Sequence, residues 1–159
     1  MPAQVSFPAA MVAWAGAVTL LTIADGRDDI GATVSAFCPV SADPPLVLVS
    51  LMAQSYPAEV LGRADTFAVT LLSASQRMLA GRFAAEGRPG ARLMLEDVPH
   101  DRGPVSGALI PSDGLGAFEC SVSQLVPAGD HLLVIAAVVG VPYATDEGAP
   151  LIRFRNRYI

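Results

Sequence analysis

The stretch Gly31–Val49, GATVSAFCPVSADPPLVLV, decides how this chain folds. Ala42-Asp43-Pro44-Pro45 sits in its middle, and two successive prolines fix φ and remove two N–H donors, so the backbone must turn there. The run that follows, Leu46–Met52 (LVLVSLM), is apolar without alternation, the pattern of a strand covered on both faces. The run before it, Ile30–Val40, is small or β-branched and is marked at either end by Gly31 and Pro39. A strand, a rigid turn and a second strand therefore form the nucleus of the reading.

Working outward, the same pattern recurs. Ala17–Ala24 (AVTLLTIA) is a short β-branched run that stops at Asp25-Gly26, and Thr66–Leu72 (TFAVTLL) is another. Phe118, Cys120 and Val122 alternate with Glu119, Ser121 and Ser123, the period of two that marks a half-buried strand. Leu132–Val141 forms a long strand, and Leu151–Tyr158 is expected to close the sheet. Helices are few. One is expected at Pro8–Ala15 around Trp14 and one at Pro57–Arg63. A third is opened by the capping-box spacing Ser73-x-x-Gln76 and runs through Ala84, with Met78, Leu79 and Phe83 on one face. Gly87–Gly116, rich in Gly, Pro and charge, reads as an excursion from the sheet. With little βαβ alternation, the pattern predicts one all-β domain over residues 1–159, an antiparallel barrel or sandwich.

Composition excludes several functions. Of 159 residues, 52% are hydrophobic and only 16% charged, so the surface must keep apolar patches, which a homodimer or other homo-oligomer would hide. All ten basic residues are Arg, and without Lys there is no Walker-A loop, Schiff base or lysine general base. A net charge of −5 argues against nucleic acid, which requires a basic face. The apolar N-terminal stretch lacks the positive n-region of an export signal, and Pro8, Gly16, Thr19 and Thr22 interrupt it, so membrane insertion is not expected. Cys38 and Cys120 lie far apart and only two His are present, which predicts no disulfide framework, no metal site and a reducing cytoplasm. No Rossmann fingerprint, G-x-S-x-G elbow or H-E-x-x-H motif occurs. An enzyme built from this chain would draw its chemistry from an organic cofactor.

The order of motifs narrows the choice. Gly31–Val49 resembles the flavin-contacting core of the flavin reductase-like, FMN-binding split-barrel family. Gly16–Thr22 resembles that family's first strand. Phe67-Ala-Val69, Leu72-Ser-x-x-Gln76 and Arg82-Phe83-Ala84 resemble its second block, followed by Ser106-Gly-Ala108, Phe118-Glu-Cys120, Gly129-Asp-His131 and Pro150-Leu151 with Tyr158. The resemblance spans the whole chain. It implies a six-stranded antiparallel Greek-key split barrel, homodimeric, that transfers hydride from NADH or NADPH to FMN, or to FAD, and supplies reduced flavin to a partner monooxygenase. A flavin-binding carrier or sensor without turnover, and a split-barrel enzyme that retains FMN for another small substrate, are the alternatives.

The residues fit that role physically. An isoalloxazine ring needs a flat apolar slot with backbone groups and short side chains at its polar edge. Thr33, Val34, Ser35 and Ala36 supply such a strand, and Pro39, Val40 and Ser41 would wall the slot; as a plain structural alternative, the same residues make a core strand and turn. At the phosphate end the sequence departs from the family pattern. Met52-Ala-Gln-Ser-Tyr-Pro57 keeps Ser55 and offers Gln54 but lacks the basic residue and the Thr, leaving Arg82, beside Phe83, to compensate. The resemblance places His131 near the nicotinamide face of the flavin, where a neutral imidazole could donate a hydrogen bond; otherwise it is a turn histidine at a strand start. Arg153, Arg155 and Arg157 would share one strand face and attract dinucleotide phosphates, or form a solvated face or ion pairs with a partner subunit. Tyr158 would cover the site. Cys38 and Trp14 read as packing residues.

Overall fold

The computed structural model describes residues 1, 4–26 and 28–159. In chain order its elements are α1 (Phe7–Met11), β1 (Gly16–Ala17), β2 (Thr19–Ile23), β3 (Ile30–Val34), β4 (Phe37–Ala42) and β5 (Pro45–Met52). Next come α2 (Tyr56–Leu61), β6 (Thr66–Leu71), a 3-10 turn (Ala74–Gln76) leading into α3 (Arg77–Ala84), and α4 (Ala91–Met94). The chain ends with β7 (His100–Arg102), β8 (Leu109–Pro111), β9 (Gly116–Ala128), β10 (His131–Ala144), β11 (Ile152–Phe154) and β12 (Arg157–Tyr158).

Seven strands form one antiparallel sheet in the order β3-β2-β6-β9-β10-β5-β4, where six were expected. The difference arises inside the deciding stretch. Ile30–Val40 is not one strand but two, broken at Ser35-Ala36, and its halves pair at opposite edges of the sheet. Only three peptide links separate Val34 from Phe37, a span of at most about 11 Å. The two edges must therefore meet, so the sheet curls on itself. Among the described residues β3 and β4 form no ladder; instead the Ser50 N–H donates to the Ala36 carbonyl at 2.9 Å, tying β5 to the break. A curled sheet with a seam results, and the seam organises the site.

The core follows from the apolar runs. Leu21, Ile23, Val49, Phe67, Val69 and Val134 fill the curl. On its other side α3 buries Leu79, Ala80 and Phe83 against Leu20, Leu72 and Leu151. The capping box at its start is present, with the Ser73 N–H donating to Gln76 Oε1 at 3.0 Å. Met78, expected on the buried face of α3, is 76% exposed.

Three other expectations are corrected. The first helix covers only Phe7–Met11; it buries no residue, and a one-turn helix without tertiary support does not extend. Trp14 beyond it is 72% exposed, so it is not core. Leu151–Tyr158 is a hairpin, because Arg155 and Asn156 both take positive φ (50° and 59°) and turn the chain between β11 and β12; the three arginines do not share one strand face.

The excursion is anchored by Asp29, which is 2% exposed and holds Arg102 (2.8 Å) and Arg92 (3.3 Å). No helix among the described residues is long and apolar enough to cross a membrane.

Candidate functional site

A cavity of about 350 Å³ opens at the seam where the sheet edges meet. Its floor is Ala32–Ala36, its sides are Ser50, Leu51 and Met52 of β5, and Phe83, Ala84 and Arg88 stand over it. Ser55, Pro57 and His131 complete the lining. The Thr33 hydroxyl is turned toward α3. It donates to the Ala80 carbonyl at 2.6 Å, so it docks α3 on β3 and leaves the β3 backbone and stubby neighbouring side chains to face the opening. Gly31 completes that docking, because a Cβ there would collide with the Phe83 ring.

One end of the cavity carries positive charge. Arg88 donates from Nε to the Gly31 carbonyl (2.9 Å) and from Nη1 to the Ala85 carbonyl (3.1 Å). Among the described residues it pairs with no carboxylate. Burial alone shifts it, and shifts it downward, the mark of a cation with no nearby anion to offset desolvation. A second cavity of about 420 Å³ shares Ser55, Pro57 and Arg88 with the first and continues past Asp28, Asp29 and Tyr56. Ser55 caps α2 by accepting the Ala58 N–H at 3.3 Å.

His131 stands at the other end. Gly129 (φ 61°) and Asp130 form the two-residue turn between β9 and β10, with glycine in the first position, where a left-handed backbone is needed. This places His131 at the first residue of β10, opposite Met52 of β5. Its Nδ1 lies 2.7 Å from Asp130 Oδ1. The hydrogen bond from His131, followed by its charge, holds the Asp130 carboxyl below its ordinary value, so at neutral pH Asp130 can only accept. Nδ1 therefore carries the proton, and Nε2 of the neutral ring is an acceptor.

Of the residues singled out from sequence, Thr33, Val34, Ser35, Ala36, Ser55, Phe83 and His131 converge on this cavity. Pro39, Val40 and Ser41 do not, because β4 runs from the break along β5 from Val49 back to Pro45, away from the Ser50–Met52 end that lines the cavity; Val40 is 51% exposed. Cys38 is exposed on the same strand. Gln54 lies in the exposed turn before α2 and is not in the lining. Arg82 is committed elsewhere, donating to both Asp97 oxygens at 2.7 and 3.0 Å. Tyr158 packs beside the second core cluster with the Arg153 guanidinium 5.6 Å from its ring centre, away from the cavity. Sequence reasoning missed Arg88. Its signal was a lone cation in Gly87-Arg-Pro-Gly90, a turn that locks onto the β3 edge through Gly31.

The lining suits a flat ring with a phosphate tail. Apolar and backbone surface flanks the slot, Ser35 and Ser50 hydroxyls lie on its border, and Arg88 marks where an anion is wanted. Buried Glu119 is a separate matter. It accepts from the N–H groups of Val105 and Ser106 and from the Ser106 hydroxyl, so it holds a loop rather than a ligand.

Comparisons with known proteins identify the family. Residues 11–159 match the family described as flavin reductase like domain. The chain is 33% identical to the NADH-dependent FMN reductase AsuE2 of Streptomyces nodosus subsp. asukaensis, over 99% of this chain and 84% of that protein. It is 33% identical to the reductase component of 4-hydroxyphenylacetate 3-monooxygenase from Thermus thermophilus, over 96% and 93%. Among solved structures, flavin reductase PheA2 superposes with a TM-score of 0.83 at 32% identity, covering 96% of this chain and 94% of that one. BorF, the flavin reductase component of a bacterial two-component tryptophan halogenase, superposes with a TM-score of 0.87 at 26% identity over 94% and 92%.

Proposed function

The chain belongs to the flavin reductase like domain family, and on that premise we propose that it is an NADH-dependent flavin reductase that supplies reduced flavin to a separate monooxygenase. The observation that carries the reading is the seam cavity, a slot floored by Ala32–Ala36 with unpaired Arg88 at one end and the Asp130–His131 pair at the other. FMN is the cofactor the slot fits, with FAD admitted if its extra nucleotide lies outside.

Bound flavin supplies the two-electron acceptor that takes hydride from the nicotinamide. The protein's own part is positioning, since holding two rings in contact needs no acid or base and oriented encounter alone removes much of the barrier. The β3 backbone and the side chains of Val34, Ser35 and Ala36 hold the ring flat. Arg88 and Ser55 hold the phosphate, with Arg88 replacing the missing cation of Met52–Pro57. His131 accepts from the nicotinamide carboxamide through Nε2 while Asp130 fixes its ring. With Arg88 as the one cation lining the slot to meet a dianion, flavin is held loosely, as a protein that releases it requires.

The same reading treats residues 1–159 as one flavin reductase domain, the curled sheet as a split barrel, and the functional unit as a homodimer. Val40, Met52, Leu125, Val139 and Val141, all exposed, supply the apolar surface that a second copy would cover. It also places the protein in the cytoplasm, where Cys38 and Cys120 stay reduced. The test is NADH consumption at 340 nm with added FMN. Turnover dependent on free FMN is expected; flavin binding without turnover, or flavin that resists dialysis, would reject the release of reduced flavin.

A further inference from the structure

A third cavity lies on the far side of Ser35 and Ala36, and the seam site leaves it unexplained. It measures about 290 Å³ and shares those two residues with the flavin slot, so the two openings are neighbours across the break in the sheet. Its other walls are Trp14, Gly16, Arg153, Phe154 and Arg155.

These walls are held in place from both directions. The Trp14 N–H donates to the Met11 carbonyl at 3.0 Å, and the Arg155 N–H donates to the Val12 carbonyl at 3.1 Å, pinning the C-terminal hairpin to the turn after α1. Gly16 pairs with Arg153 across β1 and β11, and a Cβ on Gly16 would sit 3.6 Å from Trp14 Nε1, so the indole lies against the glycine at the cavity wall. The indole is 72% exposed, so it is open to a ligand at the cavity wall. Arg155 adopts a φ of 50°, which a branched or long residue rarely does, and this sets its guanidinium 4.9 Å from the Phe154 ring centre. Neither Arg153 nor Arg155 forms an ion pair among the described residues, although the chain carries a net charge of −5. Two uncompensated guanidiniums beside an exposed indole face match one ligand chemistry: an aromatic base joined to phosphates.

We propose that the Trp14–Arg153–Arg155 cavity seats the adenosine diphosphate end of a dinucleotide whose redox ring lies in the adjoining seam slot. The purine stacks on the indole, and the pyrophosphate accepts from the two guanidiniums. The inference rests on the flavin reductase reading for the second half of that sentence and on the cavity alone for the first. Two dinucleotides carry this end; with the flavin phosphate at Arg88, at the Gly31 end of the slot, the one that reaches a cavity beside Ser35 and Ala36 is the nicotinamide donor.

Trp14 is the only tryptophan in the chain, so its fluorescence reports this cavity directly. Titration of the full-length protein with ADP-ribose is expected to quench it saturably, whereas nicotinamide mononucleotide, which lacks the adenosine, leaves it unchanged. Arg153→Ala and Arg155→Ala should each weaken ADP-ribose binding at least about fivefold, and Trp14→Ala should raise KM for NADH by a similar factor. If the nicotinamide donor is the source, the same variants raise KM for NADH by about that factor and leave KM for reduced nicotinamide mononucleotide and Kd for FMN unchanged. A raised Kd for FAD with an unchanged KM for NADH would overturn the assignment to the nicotinamide donor. Unchanged FMN affinity also shows that the variants are folded. No quenching by ADP-ribose, or emission that follows protein concentration instead, would overturn the proposal and assign the face to contact between copies. Quenching by ADP-ribose in a protein that neither binds FMN nor oxidises NADH would keep the nucleotide cavity and reject the reading of the slot.

Discussion

Asp130 Oδ1 lies 2.7 Å from His131 Nδ1, a contact between adjacent residues in which the turn of the β9–β10 hairpin supplies the acceptor for the first side chain of β10. The carboxylate is 88% exposed and its partner 41%, so the pair adds little to stability. Its value is orientation and tautomer. His131→Ala should lower kcat and raise KM for NADH while changing Kd for FMN by less than about twofold, because the residue is assigned to the nicotinamide and not the flavin. Asp130→Ala should give the same KM effect in weaker form, since the ring remains but its rotation and tautomer are free. Steady-state kinetics with a parallel FMN fluorescence titration check both, and unchanged KM in His131→Ala would remove the residue from the site.

Arg88 and Arg82 separate the observed phosphate anchor from the expected one. Arg88→Ala should weaken FMN by about tenfold or more, the worth of a charge-assisted hydrogen bond of ~1.5–3 kcal/mol, and leave riboflavin, which lacks the phosphate, nearly untouched. Arg82→Ala should change neither, because that guanidinium is spent on Asp97. Fluorescence titrations of the two flavins against the two variants give the answer. Equal losses for FMN and riboflavin in Arg88→Ala would mean that it supports α3 and not a phosphate.

Much of this was legible in the chain before folding. Thr33–Ala36, Ser55, Phe83 and His131 were marked by residue type and motif order, and the structure gathers them at one cavity. What could not be read was the break at Ser35-Ala36. The residues on either side are equally strand-like, so periodicity gives no reason to divide them; the division is imposed by the curl of the sheet, and it carries Pro39, Val40 and Ser41 to the other edge. Arg82 and Arg88 show the same limit. Sequence spacing put a cation near Phe83, but which arginine finds a carboxylate depends on Asp97, beyond α4, and no local pattern encodes that pairing. The Arg155-Asn156 turn was hidden because arginine seldom accepts a positive φ.

Asp29 gives a pH-dependent prediction. Burial raises its pKa, but the Arg102 hydrogen bond and charge, the Asp25 backbone and Arg92 together outweigh this, so the native carboxyl lies below its ordinary value. A group with a depressed native pKa contributes stability that is complete above the unfolded value, near 4, and is lost as pH falls through the native value. Urea unfolding should therefore show a loss below about pH 4 that Asp29→Asn lacks. Asparagine tolerates the φ of 51° at this position, so the variant removes charge without adding backbone strain. At neutral pH it should cost about 2 kcal/mol, less than a fully buried pair because both arginines are about half exposed.

Glu119 looks catalytic by type and burial, being 1% exposed, yet its contacts argue otherwise. Oε1 accepts the Ser106 N–H and the Ser106 hydroxyl, both at 2.7 Å, and the Val105 N–H at 3.1 Å, while Oε2 accepts the Val105 N–H at 3.3 Å. Gly103 passes so close that a Cβ there would overlap the carboxylate. The carboxylate thus serves as the internal partner for a loop whose N–H groups have no strand to join. Glu119→Gln keeps one acceptor oxygen and should cost about 1–2 kcal/mol, a drop of roughly 2–8 °C in Tm. Glu119→Leu strands the donors in the interior and should cost at least about 3 kcal/mol. In both, Kd for FMN should hold at temperatures where the protein stays folded, because neither Glu119 nor the loop lines the seam cavity. A Glu119→Gln variant with wild-type Tm but lost turnover would show the opposite, that the carboxylate takes part in the chemistry and the loop is held by other means.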